Sequence, residues 1–219
     1  MNIPGTYSNN KKPKRLKIFT RVLCAIALAA LLIYLAFQFS PWPSALVIRS
    51  VFHKGGVATN EKLAKYVPAG IASMMDIQYD VANKKAKLDL YYPGNTGTAN
   101  AKYPLIIWVH GGAFVAGDKS ELANYCKILA SKGFAVAAIN YSRAPSVHYP
   151  VPVIETNKAI AFLIKNADKL HINDARFIIA GDSGGAHIAA QIANIFTSPA
   201  YAAMLEITPL VDTGKLGGA

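Results

Sequence analysis

The sequence predicts an α/β domain, a mixed and mostly parallel sheet flanked by helices, preceded by one transmembrane helix. Three observations predict it. Residues 22–39 form an almost unbroken apolar run behind a basic cluster. Residues 77–92 alternate between faces about a polar turn. Three later runs, 105–110, 134–140 and 177–181, are apolar nearly throughout and are separated by stretches with helical periodicity. Strands alternating with helices imply right-handed crossovers and a parallel sheet, and a leading antiparallel hairpin makes that sheet mixed.

The totals narrow the function classes. Of 219 residues, 53% are hydrophobic and 16% charged, which excludes a disordered chain. The formal charge of +11 is unevenly placed, because residues 1–21 carry six basic side chains (Lys11, Lys12, Lys14, Arg15, Lys17, Arg21) and no acid. The remainder holds 17 basic against 12 acidic residues, an ordinary excess. The basicity therefore does not point to nucleic acid, and no nucleic-acid motif is present. Cys24 and Cys126 give neither a disulfide framework nor a metal-ligand spacing.

The first element is the run Val22–Phe39, in which only Gln38 is polar. As a helix it spans about 27 Å, close to a bilayer core of about 30 Å. Arg21 can snorkel, so the span is expected to start at Ile18. A buried core helix would need a polar face, and there is none. A cleaved signal peptide is the rival reading, but its apolar core would be unusually long and "SPWPSA" offers no small-x-small cleavage site. The basic flank places the N-terminus in the cytoplasm. The expected organisation is a basic cytoplasmic tail over 1–17, an uncleaved signal anchor in the plasma membrane over 18–39, a connector with cap helices over 40–75, and the α/β domain over 76–219 outside, with secretion after cleavage as the alternative.

Within the connector, "SALVIRSVF" (44–52) reads as a short helix stopped by Gly55-Gly56, and "NEKLAKYV" (60–67) as a second, ended by Pro68. Ile77, Tyr79 and Val81 then share one face and Leu88, Leu90 and Tyr92 another, with "ANKK" (82–85) between them, as in an antiparallel hairpin. "PGNTGTANAKYP" (93–104) reads as a loop. "LIIWVH" (105–110) has the continuous apolarity of a strand buried on both faces. A helix is expected over about 120–132, with Asp118 and Glu121 at capping-box spacing. "FAVAAIN" (134–140) is the next strand, Pro152 opens a helix to about Ala167, "FIIAG" (177–181) is a third strand, and "GAHIAAQIANIF" (185–196) a third helix. The closing "KLGGA" reads as the approach to another strand.

The junction of the last strand and helix carries Gly-Asp-Ser-Gly-Gly, residues 181–185. Two unrelated kinds of serine enzyme write this around a nucleophile. A chymotrypsin-like protease needs many short strands and an upstream catalytic His. None of His53, His110, His148 or His171 has that family's Ala-Ala-His-Cys surroundings. Here Ser183 lies between an apolar strand and an Ala-rich helix, the context of a nucleophile elbow. Gly181 and Gly185 would let strand and helix approach closely, and the helix N-terminus would favour developing negative charge. A second motif, "HGGAF" (110–114), follows the first buried strand.

With "PLIIWVHGGAFVAGDKS", "FAVAAINYSRAP", "YPVPVIE" and "IIAGDSGGAHIAA", the chain resembles the α/β-hydrolases, in particular the hormone-sensitive-lipase-like, carboxylesterase and acetyl-xylan-esterase-like group, over roughly residues 76–200. The resemblance implies an α/β-hydrolase fold and Ser183 as nucleophile. It implies an oxyanion hole from the amides of Gly112, Ala113 and Gly184. His110 and Gly111 would be structural, and Asp182 would precede the nucleophile without being the triad acid. Ala113 stands where the family usually has a third glycine, and its amide is expected to donate provided its φ is negative. The function implied is a membrane-anchored serine ester hydrolase acting on a small-molecule ester through an acyl-enzyme, with no metal or organic cofactor. An inactive binding module, or a serine peptidase or acyltransferase of the same fold, is the alternative.

Other residues have plainer readings. His187, four positions after Ser183, points away from it; His148 and His171 are expected to be solvated; Glu155 is expected to be a structural charge near a helix start. In this fold the triad runs Ser, then Asp or Glu, then His. After Ser183 the chain holds Glu206 and Asp212, but its last histidine is His187. The expectation is therefore that the natural reading frame continues past Ala219 and that this stretch alone is inactive.

Overall fold

The computed structural model describes residues 14–94 and 101–219, so most of the expected basic tail and the middle of the 93–104 loop lie outside the described residues. The chain forms two compact units, one ending at Ser44 and one running Ala45–Ala219. In the first, helix α1 (Lys14–Phe39) contains an apolar stretch, Leu16–Phe39, long enough to cross a membrane and exposed along its whole length. From Val22 onward, Gln38 is its one polar side chain.

The second unit is built on a six-stranded sheet in the order β1-β2-β4-β3-β5-β6. β1 (Ile71–Gln78) and β2 (Lys87–Pro93) form the leading antiparallel hairpin, and β2 runs antiparallel to β4 (Ala135–Ile139). β4, β3 (Tyr103–Val109), β5 (Ile172–Gly181) and β6 (Leu216–Gly218) are parallel. The period-2 alternation of side chains explains the continuous apolar runs. Leu105, Ile107 and Val109 of β3 enter a core with Ile160, Leu163, Ile188 and Ile192 from helices α4 (Val151–Lys165) and α5 (Gly184–Thr197). Ile106 and Trp108 face the other way, against Cys126 and Ala130 of α3 (Ala123–Ala130). Each fully buried Ile or Leu contributes about 1.5–3 kcal/mol, so both faces of the sheet must be covered.

Several expectations are corrected. The two connector helices are one, α2 (Trp42–Leu63), followed by a 3₁₀ turn over Ala64–Tyr66. Gly55 and Gly56 do not stop it: glycine costs a helix about 1 kcal/mol but leaves its hydrogen bonds intact. A side chain at 56 would meet Glu121 Oε2 at 2.4 Å, so the glycine admits close packing there. β1 begins at Ile71, earlier than the alternation suggested, and Val81 lies exposed in the turn rather than on a strand face. A bulge between Met74 and Ile77 breaks the period, with Asp76 at φ 56 and its amide donating to Asp89 Oδ1 at 2.7 Å. The capping box is half formed: Asp118 caps Ser120 N, but Glu121 reaches His53 Nδ1 at 2.7 Å instead of turning back. A helix that periodicity did not reveal, α6 (Pro199–Leu205), follows α5.

Candidate active site

Ser183 sits at the junction of β5 and α5 with φ 48 and ψ −119, a conformation that costs a non-glycine residue about 1–3 kcal/mol. Close packing holds it there. A Cβ on Gly181 would meet the Gly185 carbonyl carbon at 2.6 Å, and one on Gly185 would meet Val109 O at 2.0 Å. Strand β3, the end of β5 and the first turn of α5 therefore touch through backbone alone. The result is an exposed Ser183 side chain at the C-terminal edge of the parallel strands.

The loop after β3 wraps against this turn. Val115 N and Ala116 N both donate to Gly112 O, at 3.0 and 2.7 Å. That reversal winds Ala113 and Phe114 into the left-handed region, at φ 53 and 61. The expectation of a negative φ at Ala113 is thus overturned, but the consequence is favourable. An ideal Cβ on Gly184 would lie 3.2 Å from Phe114 N and 3.5 Å from Ala113 N, so both amides stand beside the residue after Ser183. The amides of Gly112, Ala113, Phe114 and Gly184 have no hydrogen-bond partner among the described residues. The unpaired amides of Ala113, Phe114 and Gly184 lie together at one turn, an arrangement suited to an anionic oxygen.

Two side chains hold the loop. Asp182 Oδ1 accepts from Gly111 N at 3.1 Å and from Trp108 Nε1 at 3.3 Å. His110 is buried, stacked on Tyr141 with ring centroids 4.4 Å apart, and its Nδ1 lies 2.7 Å from Gly111 O. A carbonyl only accepts, so Nδ1 carries the proton. Burial holds the imidazole below its ordinary pKa, against the bond to Gly111 O and with help from the charge of Arg143. Its Nε2 is buried without a partner among the described residues. Asp118, at the edge of the same cleft, is kept ionised: burial pushes its carboxyl up, but bonds from the Ser120 amide and hydroxyl and from Asn140 outweigh that.

Two cavities flank the loop. One, of about 460 Å³, is bounded by Ser183, Asp182 and the His110–Gly112 segment on one side and by Val51, Phe52 and Thr59 of α2 on the other. The second, of about 310 Å³, lies between Phe114, Tyr149, Val153 and Ile188. Sequence reasoning missed the part of α2 in the first cavity, and also the Phe114 amide and the Asp182–Gly111 bond. Each is a contact between segments far apart in the chain, and no local pattern signals it.

The other candidates sort as follows. Glu155 is buried and accepts from Ser142 N (2.6 Å), Ser142 Oγ (2.8 Å) and Asn83 Nδ2 (2.7 Å), a structural role away from Ser183. His187 and His148 are exposed, and His171 is half-buried beside Tyr92. Ser183 Oγ has no hydrogen-bond partner among the described residues. Among those residues, no three His, Cys, Asp or Glu side chains cluster as metal ligands do.

Comparison with known proteins gives the family and the fold. A family model described as BD-FAE matches residues 88–199. A kynurenine formamidase of Danio rerio is 31% identical over 120 residues, covering 55% of this chain and 38% of that protein. An acetyl esterase of Salmonella schwarzengrund is 32% identical over 101 residues, covering 46% of this chain and 30% of that protein. The chain thus spans well under two thirds of either relative. The crystal structure of esterase B from Lactobacillus rhamnosis superposes with a TM-score of 0.66 at 24% identity, covering 77% of this chain and 54% of that one, a likeness of fold.

Proposed function

The chain belongs to the BD-FAE family, in the esterase/lipase group of α/β-hydrolases, and from that premise we propose that it carries the nucleophile and oxyanion hole of a membrane-anchored serine ester hydrolase. Ser183 Oγ attacks the ester carbonyl while a base takes its proton. The amides of Gly112, Ala113 and Gly184, joined by Phe114, receive the carbonyl oxygen as it becomes an oxyanion. The alcohol leaves with a proton, and water then releases the acid from the acyl-enzyme. Asp182 and His110 position the loop that presents these donors, with Gly111, Gly181 and Gly185 giving the clearance. α1 acts as the signal anchor, with the basic residues before it in the cytoplasm and residues 76–219 outside. Small-molecule esters with short acyl groups are the substrate class, on the analogy of the acetyl esterase.

The observation that carries the proposal is the pairing of Ser183 at φ 48 with unpaired amides beside Gly184. A binding module of the same fold is the second reading, favoured by the lack of any partner on Ser183 Oγ among the described residues. A fluorophosphonate separates the two. The gene product from its own host, extracted in detergent, should be phosphonylated on the peptide containing Ser183. Protein that stays unlabelled, or is labelled elsewhere, would refute the hydrolase reading.

A further inference from the structure

A third cavity, of about 440 Å³, lies outside the proposed catalytic site and is lined by charged and polar residues, with Tyr141 the one aromatic among the described residues. Six cationic side chains reach it from four places in the chain. Lys84, Lys85 and Lys87 come from the β1–β2 turn and the start of β2, Arg49 from α2, Lys119 from the turn before α3, and Arg143 from the segment after β4. Among the described residues, two carboxylates, Asp76 and Asp118, line it.

The carboxylates are already engaged. Asp76 lies 3.0 Å from Lys119 and 3.7 Å from Lys87, and Lys119 also meets buried Asp89 at 2.6 Å. Asp118 accepts from Ser120 and Asn140. Glu155, behind the wall, is taken up by Ser142 and Asn83. Lys84, Lys85 and Arg143 make no ion pair among the described residues. Arg143 donates to Gly117 O, and Arg49 donates to Val115 O and Ala144 O, each at 2.9 Å. These bonds hold two guanidinium groups near one another. Burial first, and then the charge of Arg143, lowers the pKa of Arg49, so the two guanidinium groups lie within each other's field. Like charges gathered around a cleft focus its potential and raise the local concentration of anions.

We propose that this cavity binds a phosphate-bearing ligand. Arginine forks and lysine ammonium groups match phosphate oxygens, and Ser146, on the cavity rim, offers a further hydroxyl. The volume equals the share of roughly fifteen waters at about 30 Å³ each, enough for a phosphate group with an organic substituent. Two sources supply that chemistry: a soluble phosphomonoester or the headgroup of an anionic lipid. The wall shared with the catalytic cleft is short, since Asp118 borders both cavities and Gly117, which lines the cleft, accepts from Arg143. The ligand would sit next to the ester-binding cleft but apart from Ser183.

The test uses the full chain in an uncharged detergent. The thermal midpoint is followed against inorganic phosphate and glycerol 3-phosphate, with sodium chloride at matched ionic strength as control. A parallel arm measures retention of an anionic against a zwitterionic phospholipid in nanodiscs. The expected result is an anion-specific rise in midpoint, or selective retention of the anionic lipid, with affinity at least tenfold weaker in Arg143→Gln. The Lys84→Gln, Lys85→Gln double variant changes only exposed side chains and should weaken it about threefold to tenfold. A response to soluble phosphates assigns the first source and selective lipid retention the second; either supports the site. No response in either arm, or one unchanged in both variants (as binding by the basic residues before Val22 would give), overturns it.

Discussion

At the residue scale, two side chains carry the sharpest expectations. Ser183 is exposed and strained, so its loss should cost chemistry and not stability. In the natural gene product Ser183→Ala should lower ester turnover by up to ~10⁶, with the thermal midpoint almost unchanged. Activity persisting within tenfold would remove Ser183 from the mechanism. His110 should instead reveal itself through pH. Burial lowers its pKa from the ordinary 6.5, so the unfolded chain binds its proton more readily than the folded one. The neutral ring's contribution is therefore complete above pH 6.5 and is lost as pH falls toward the lower folded pKa. Melting at a series of pH values should show a decline below pH 6.5 that is reduced in His110→Gln. Parallel curves would assign the decline to other groups. The place of Ser183 on a strained strand–helix turn was legible in the sequence because the motif and its context are local. The left-handed winding of Ala113 and Phe114 was not, because the bonds from Val115 and Ala116 to Gly112 O that create it have no residue signature.

At the element scale, the same substitution should have opposite signs in two helices. An added Cβ at Gly55 of α2 meets nothing within 4 Å. Gly55→Ala should therefore raise stability by up to about 1 kcal/mol, through propensity and lost unfolded-state freedom. An added Cβ at Gly185 of α5 meets backbone, Val109 O at 2.0 Å and His110 O at 2.6 Å. Gly185→Ala should push α5 off the sheet, costing about 3 kcal/mol or more as severe overpacking does, and should spoil the elbow. Thermal melts of the two variants decide it, and a stabilised Gly185→Ala chain would contradict the packing described. The same contrast explains the misread connector. Glycine pairs are ordinary stop signals, but helix α2 continues through this one, where packing against Glu121 leaves little room for a side chain.

At the scale of the whole molecule, the proposed anchor predicts a topology. Protease added to intact cells should digest residues 76–219 and spare the tail before α1; a domain protected until the membrane is broken would overturn the orientation. The sequence by itself determined the apolar span, the hairpin, the order of buried strands and helices, and the position of the serine. Those features follow from local periodicity, turn residues and short motifs, which neighbours in the chain impose on one another. Only the tertiary structure decided that α2 walls the cleft, that Asp182 holds the Gly111 amide, that the Phe114 amide stands beside Gly184, and that six cations from four segments share one cavity. Each of these joins residues tens of positions apart, and their meeting is set by the crossovers that carry the chain from one edge of the sheet to the other.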